Sequence, residues 1–179
     1  FMDLSDADAI VAAIRPETKM LWMESPTNPT LKVSDVRMVS DAVKKQANRP
    51  DITIVMDNTF ATCYLQNPLD LGADIAFHSV TKYIGGHSDV VMGVLCLNDD
   101  KLWDQLKFQQ NSAGAVPAPF DCYMALRGLK TLHVRMDAAM ANATAIANFL
   151  EASPGLVEKT LYPGSASHPN AAIVKKQMR

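Results

Sequence analysis

The pattern of apolar and polar positions changes period repeatedly along the first hundred residues. Ser5, with Asp8 three residues on, predicts a capped helix running through Ile14, which Pro16 closes. Met20-Leu21-Trp22-Met23 is a short apolar run ahead of Glu24-Ser25-Pro26, the pattern of a strand delivering its carboxyl end into a loop. Ser34 and Asp35 open a second helix, with Val36, Val39 and Val43 on one stripe. Ile52 to Met56 is β-branched and almost wholly apolar, as in a strand covered on both faces. Ile75-Ala76-Phe77 and the run Val90 to Leu97 supply two further strands. Strands alternating with helical stretches predict a layered α/β sheet.

The later residues follow a single long period. Leu132, Met136, Met140, Ala143, Ile146 and Leu150 recur at helical spacing, and Ser153-Pro154-Gly155 ends the pattern. Leu156 to Tyr162 reads as a strand stopped by Pro163-Gly164, and Asn170 to Met178 as another helix with no cap behind it. We therefore expect a sheet domain over residues 1–127 and a linking helix with the start of a second domain over 128–179. The chain opens at Phe1 and stops at Arg179 inside a helical pattern, so we expect it to be a piece of a longer protein.

Composition narrows the function. The chain has 179 residues, 48% hydrophobic and 20% charged, with a net charge of −2. A near-neutral surface argues against nucleic acid, which demands a basic patch. No apolar run approaches the ~20 residues of a bilayer-crossing helix. Cys63, Cys96 and Cys122 are odd in number and widely spaced, which points away from a disulfide framework or zinc site and toward a reducing, cytoplasmic setting. The four histidines show no metal-ligand spacing, so no metal is expected.

In an open α/β sheet, ligands bind beyond the carboxyl ends of the strands. The residues there are Asn28 in a Thr-Asn-Pro turn, Asp57-Asn58-Thr59 after the Ile52 strand, and Ser79, Thr81 and Lys82 after the Ile75 strand. Each has a plain reading. A lone lysine before Gly85-Gly86 is usually a solvated loop cation, Ser79 and Thr81 cap loops, and Asn before Pro starts turns. Asp57 directly behind Ile54-Val55-Met56 is harder to explain that way, since a carboxylate there is costly unless paired. Together they have a chemical reading: a Schiff-base lysine, an acid that keeps a pyridine nitrogen protonated, and hydroxyls for a phosphate. His78 and Ser79, as strand neighbours, point to opposite faces and make no nucleophilic pair.

The segment Asp74 to Ser88, Asp-Ile-Ala-Phe-His-Ser-Val-Thr-Lys-Tyr-Ile-Gly-Gly-His-Ser, resembles the lysine signature of the Cys/Met-metabolism pyridoxal-phosphate enzymes. Glu24-Ser25-Pro26-Thr27-Asn28-Pro29 and Asp57-Asn58-Thr59 precede it in the family's order, and Arg127 to Leu132 follow it. The resemblance covers essentially the whole chain. It implies the fold-type I, aspartate aminotransferase-like large domain, a three-layer α/β/α structure, followed by the start of a smaller α+β domain. It implies pyridoxal 5'-phosphate as cofactor. Lys82 would be the catalytic, cofactor-bearing lysine, Asp57 the pyridinium partner and Ser79 and Thr81 phosphate ligands, with Thr59 and Asn28 beside the ring. It also implies a homotetramer in which further site residues lie outside this stretch. His87–Gly93, Asn111–Pro117 and Lys130–Met136 look most like the branch that cleaves cystathionine to cysteine, 2-oxobutyrate and ammonia by α,γ-elimination, a C–S lyase of transsulfuration. The γ-synthase, β-lyase and methionine γ-lyase branches share the cofactor machinery and stay open. So does a non-catalytic, truncated subunit that packs on intact relatives.

Overall fold

The computed structural model describes all 179 residues. One four-stranded sheet organises it, in the order β1 (Met20–Glu24), β2 (Thr53–Asp57), β3 (Ile75–Ser79) and β4 (Gly93–Cys96). The first three strands are parallel, and β4 runs antiparallel to β3. The helices are α1 (Ala7–Ala13), α2 (Val36–Asp41, continued by a wider turn over Ala42–Gln46), α3 (Thr62–Leu65), α4 (Asp100–Ala113), α5 (Pro119–Leu129), α6 (Leu132–Glu151) and α7 (Ala171–Gln177).

Strand alternation sorts side chains onto two faces. Leu21, Met23, Ile54 and Met56 point to the face packed by Ile10 of α1, Val36 and Val39 of α2, and Val43 of the turn after it. Burial of each such side chain contributes roughly 1.5–3 kcal/mol, so this layer is the main core. The other face carries Trp22, Val55, Asp57, Phe77 and Ser79. The Trp22 and Phe77 rings meet there with centroids 5.4 Å apart. A smaller cluster of Val80, Ile84, Leu132 and Met136 fastens α6 to the turn behind β3.

Several expectations are corrected. Asp6, not Ser5, caps α1: its Oδ1 accepts the Asp8 and Ala9 N–H groups, whereas the Ser5 N–H donates to Asp3. The strand expected over Val90 to Leu97 is confined to Gly93–Cys96. Ser88 adopts φ 55°, and the Met92 N–H and carbonyl are bound by Thr81, so the chain before Gly93 closes a loop. Leu156 to Tyr162 forms no strand. No strand pairs with it, and the Tyr162 hydroxyl instead reaches back to the Met140 carbonyl and Thr144 on α6. Helices α4 and α5 appear where the apolar pattern gave no element. The signal for α4 lies in its ends: Asp99 caps it by accepting the Leu102 N–H, and Gly114 closes it at φ 71°.

Candidate active site

Register aligns the carboxyl ends of the parallel strands, with Glu24 opposite Asp57 and Asp57 opposite Phe77. Asp57 is the last residue of β2 and half-buried. Its Oδ1 accepts the Thr59 N–H at 3.0 Å, and Oδ2 has no protein partner. The Thr59 hydroxyl, in turn, accepts the Ser79 N–H at 2.8 Å. Asp57, Thr59 and Ser79 are thereby joined across the ends of β2 and β3, on one face of the sheet. The Ser79 hydroxyl makes no hydrogen bond within the chain.

Behind this group lies a closed polar network. Asn58 is fully buried, and its amide exchanges two hydrogen bonds with Gln66: Nδ2 donates to the Gln66 carbonyl, and Oδ1 accepts from Gln66 Nε2, both at 2.8 Å. Gln66 Nε2 also donates to the Ser25 carbonyl at 3.2 Å, and its Oε1 accepts from Gln177 of α7 at 2.9 Å. Gln177 donates to the Ser34 carbonyl and accepts the Val36 N–H. The 25–34 loop is pinned a second time where His168 Nε2 meets the Leu31 carbonyl and Asn170 Oδ1 accepts the Val33 N–H. Asn28 stands exposed on that loop, with no side-chain partner.

Lys82 follows β3 in a wide turn over Val80–Ile84 and is exposed, at φ −90° and ψ −118°. No acid pairs with it. It shares a cleft of about 720 Å³ with Phe60, Thr81, Val91 and Arg135. The Thr81 hydroxyl accepts the Met92 N–H at 3.0 Å, which fixes the far wall of that cleft. Asp57 opens instead into a cavity of about 810 Å³ shared with Trp22, Glu24, Thr27, Lys32 and Lys159. The structure thus joins Asp57, Thr59 and Ser79, sets Thr81 and Lys82 in a separate cleft, and leaves Asn28 outside the lining of both.

His78 lies on the opposite face from Ser79, buried, with Nδ1 unpartnered. Burial pushes its pKa below the usual imidazole value, against the opposing pull of the Asp57 charge. Sequence reasoning did not single out Gln66, Gln177 or Arg135. An isolated Gln or Arg carries no spacing signal, and the elements that bring them to the site are distant in the chain.

A carboxylate with one free oxygen, a free hydroxyl on the next strand and an unpaired lysine beyond it are groups that could hold a phosphorylated carbonyl cofactor. Comparison with known proteins identifies the group. Residues 1–179 match the family model described as "Cys/Met metabolism PLP-dependent enzyme". The chain is 58% identical over its full length to cystathionine gamma-lyase of Dictyostelium discoideum, covering 45% of that protein. It is 51% identical to a probable cystathionine gamma-synthase of Herpetosiphon aurantiacus, covering all of this chain and 54% of that one. Among solved structures it superposes on metB from Corynebacterium glutamicum with TM-score 0.93 at 46% identity, covering 99% of this chain and 45% of that one. Yeast cystathionine gamma-lyase gives TM-score 0.86 at 48% identity, over 97% and 44% of the two chains. The chain belongs to the Cys/Met metabolism PLP-dependent enzyme family, with pyridoxal phosphate as cofactor and the fold-type I architecture. It spans about half the length of the curated relatives it matches.

Proposed function

We propose that the full-length protein is a C–S lyase that cleaves cystathionine by α,γ-elimination to cysteine, 2-oxobutyrate and ammonia. The observation that carries this reading is the set Asp57, Ser79 and Lys82 at adjacent strand ends, in a chain 58% identical to a cystathionine gamma-lyase throughout. Retention of both Lys82 and Asp57 supports an enzyme over a non-catalytic subunit.

Bound pyridoxal phosphate supplies an electron sink for negative charge at the substrate α-carbon. The chain's own groups do the rest. Asp57 would hold a ring N–H proton with its free Oδ2, its Oδ1 being anchored on the Thr59 N–H. Ser79 offers its free hydroxyl to the phosphate. Thr81, whose hydroxyl meets the Met92 carbonyl only at 3.4 Å, would give that proton to the phosphate instead. Asn28 offers its amide to the ring oxygen. The Lys82 amine would hold the cofactor and move protons at the substrate α- and β-carbons. Three unpaired cysteines fit a reducing cytoplasm, and no helix is long and apolar enough to cross a membrane.

The match to a probable gamma-synthase supports a second reading within the family, in which cystathionine is made. Incubating the full-length protein with cystathionine alone separates them. The lyase releases 2-oxobutyrate without a second substrate; absence of 2-oxobutyrate, with cystathionine formed from cysteine and an activated homoserine, would replace the lyase by the synthase.

A further inference from the structure

The turn bearing Lys82 lies outside the main core; Thr81 ties its start to Met92, and one side chain of α6 holds its end. The Arg135 guanidinium donates through Nη1 to the Tyr83 carbonyl at 2.5 Å and through Nη2 to the Ile84 and Gly128 carbonyls at 3.3 and 2.8 Å. Its Nε donates to the Thr131 hydroxyl at 3.1 Å. Four contacts from one planar fork thus join the lysine turn, the end of α5 and the start of α6. A lysine in its place has one ammonium and cannot span those carbonyls.

Two glycines are shaped around this clasp. A Cβ on Gly86, which sits at φ 78°, would collide with the Arg135 guanidinium. One on Gly128 would collide with the Gly85 and Ile84 carbonyl oxygens, so α5 lies directly on the lysine turn. Arg135 has no carboxylate partner; its directional bonds all go to neutral oxygens, three of them backbone carbonyls. It lines the same cleft as Lys82 and Thr81.

We propose that Arg135 is a positioning residue for Lys82: it clamps the two carbonyls that follow the lysine and so fixes where the amine stands relative to Thr81 and Ser79. Its effect on chemistry acts through Lys82, and it touches neither cofactor nor substrate. The inference rests on the reading of Lys82 as the cofactor-bearing lysine. Losing the fork frees the Tyr83 and Ile84 carbonyls, so the end of the turn shifts while Thr81 stays bonded to Met92 and the Val80 and Ile84 side chains stay packed on α6.

The test uses the full-length protein, stripped of cofactor and reloaded with pyridoxal phosphate. Arg135→Ala and Arg135→Lys are compared with wild type for thermal midpoint without cofactor, rate of cofactor capture, and position and pH midpoint of the cofactor's visible absorption band. Loss of charge-assisted bonds of this kind predicts roughly tenfold slower capture and a displaced band midpoint in both variants, while Arg135→Lys keeps its cofactor-free thermal midpoint near wild type. Methylguanidinium should restore capture in Arg135→Ala, and Gly86→Ala should reproduce the displaced band without adding to it in the double variant. Unchanged capture and band in Arg135→Lys would overturn the proposal, as would a fall in thermal midpoint with normal spectra. If Arg135→Ala does not fold, Arg135→Lys and Gly86→Ala decide alone. A wild-type protein that shows no cofactor band, or shows it unaltered in Lys82→Ala, overturns the lysine assignment itself and is a distinguishable outcome.

Discussion

After β2, the polar side chains find protein partners: Asp57 takes the Thr59 N–H, Asn58 pairs with Gln66, and Thr59 holds the Ser79 N–H. After β3, one strand away, the Ser79 hydroxyl and the Lys82 amine have none, and Arg135 reaches in to bond the Tyr83 and Ile84 carbonyls. The two ends also differ in burial, since Asn58 is fully enclosed and Lys82 exposed. Under the proposed function, folding builds the β2 end by itself, whereas the β3 end leaves its free hydroxyl and amine to the cofactor. Substitutions at the first should cost stability, and at the second ligand binding.

Asp57 sits where the two behaviours meet and gives the largest effect. Asp57→Asn keeps an acceptor for the Thr59 N–H, so stability should change little, but it removes the charge that holds the ring proton. Turnover should fall roughly 10²-fold or more, about 3 kcal/mol of barrier, with cofactor retained. Steady-state rates and cofactor absorbance in the full-length protein check this. Equal loss of cofactor and rate would make Asp57 an anchor rather than an activator.

Asn58→Ala comes next. It leaves the Gln66 carbonyl buried without a partner and the Gln66 Nε2 with the Ser25 carbonyl alone, a cost of about 1–3 kcal/mol. Ser79→Ala should cost under about 1 kcal/mol, because its hydroxyl bonds to nothing in the fold. Denaturant midpoints of the two variants, side by side, test the contrast directly; equal losses would erase it.

A smaller effect comes from His78. Burial lowers its folded pKa below 6.5, so the unfolded chain binds the proton more readily. The stability it contributes is complete above pH 6.5 and is lost as pH falls from there toward the folded value. His78→Gln should flatten the stability curve across that window, and an unchanged slope would assign the pH dependence elsewhere. The smallest effect is expected for Lys176→Met, which removes a 2.6 Å ion pair to Asp35. Lys176 is largely exposed and Asp35 keeps its cap on the Met38 N–H, so the cost should stay below about 1 kcal/mol and shrink in salt.

The contrast also explains what could be read in the sequence. β1, β2 and β3 show plainly because their runs are apolar, Asp57 shows because it breaks such a run at its carboxyl end, and Ser79 and Lys82 show through the family-like segment Asp74 to Ser88. α4 was invisible to apolar spacing because it buries no residue, and only its caps mark it. The Leu156 to Tyr162 run looks like a strand, but an apolar run becomes one only where a partner offers hydrogen bonds. Gln66, Gln177 and Arg135 are ordinary residues in sequence. Gln66 and Gln177 lie 111 residues apart and meet only because the sheet and α7 bring them together.

The central claim is that Lys82 carries the cofactor while Asp57 activates it. The most direct measurement is borohydride reduction of the full-length protein loaded with pyridoxal phosphate, followed by mass analysis of its peptides. Reduction should fix one cofactor per chain on Lys82, persist in Asp57→Asn and vanish in Lys82→Ala. A label on another lysine, or one that survives in Lys82→Ala at the same yield, would contradict the account.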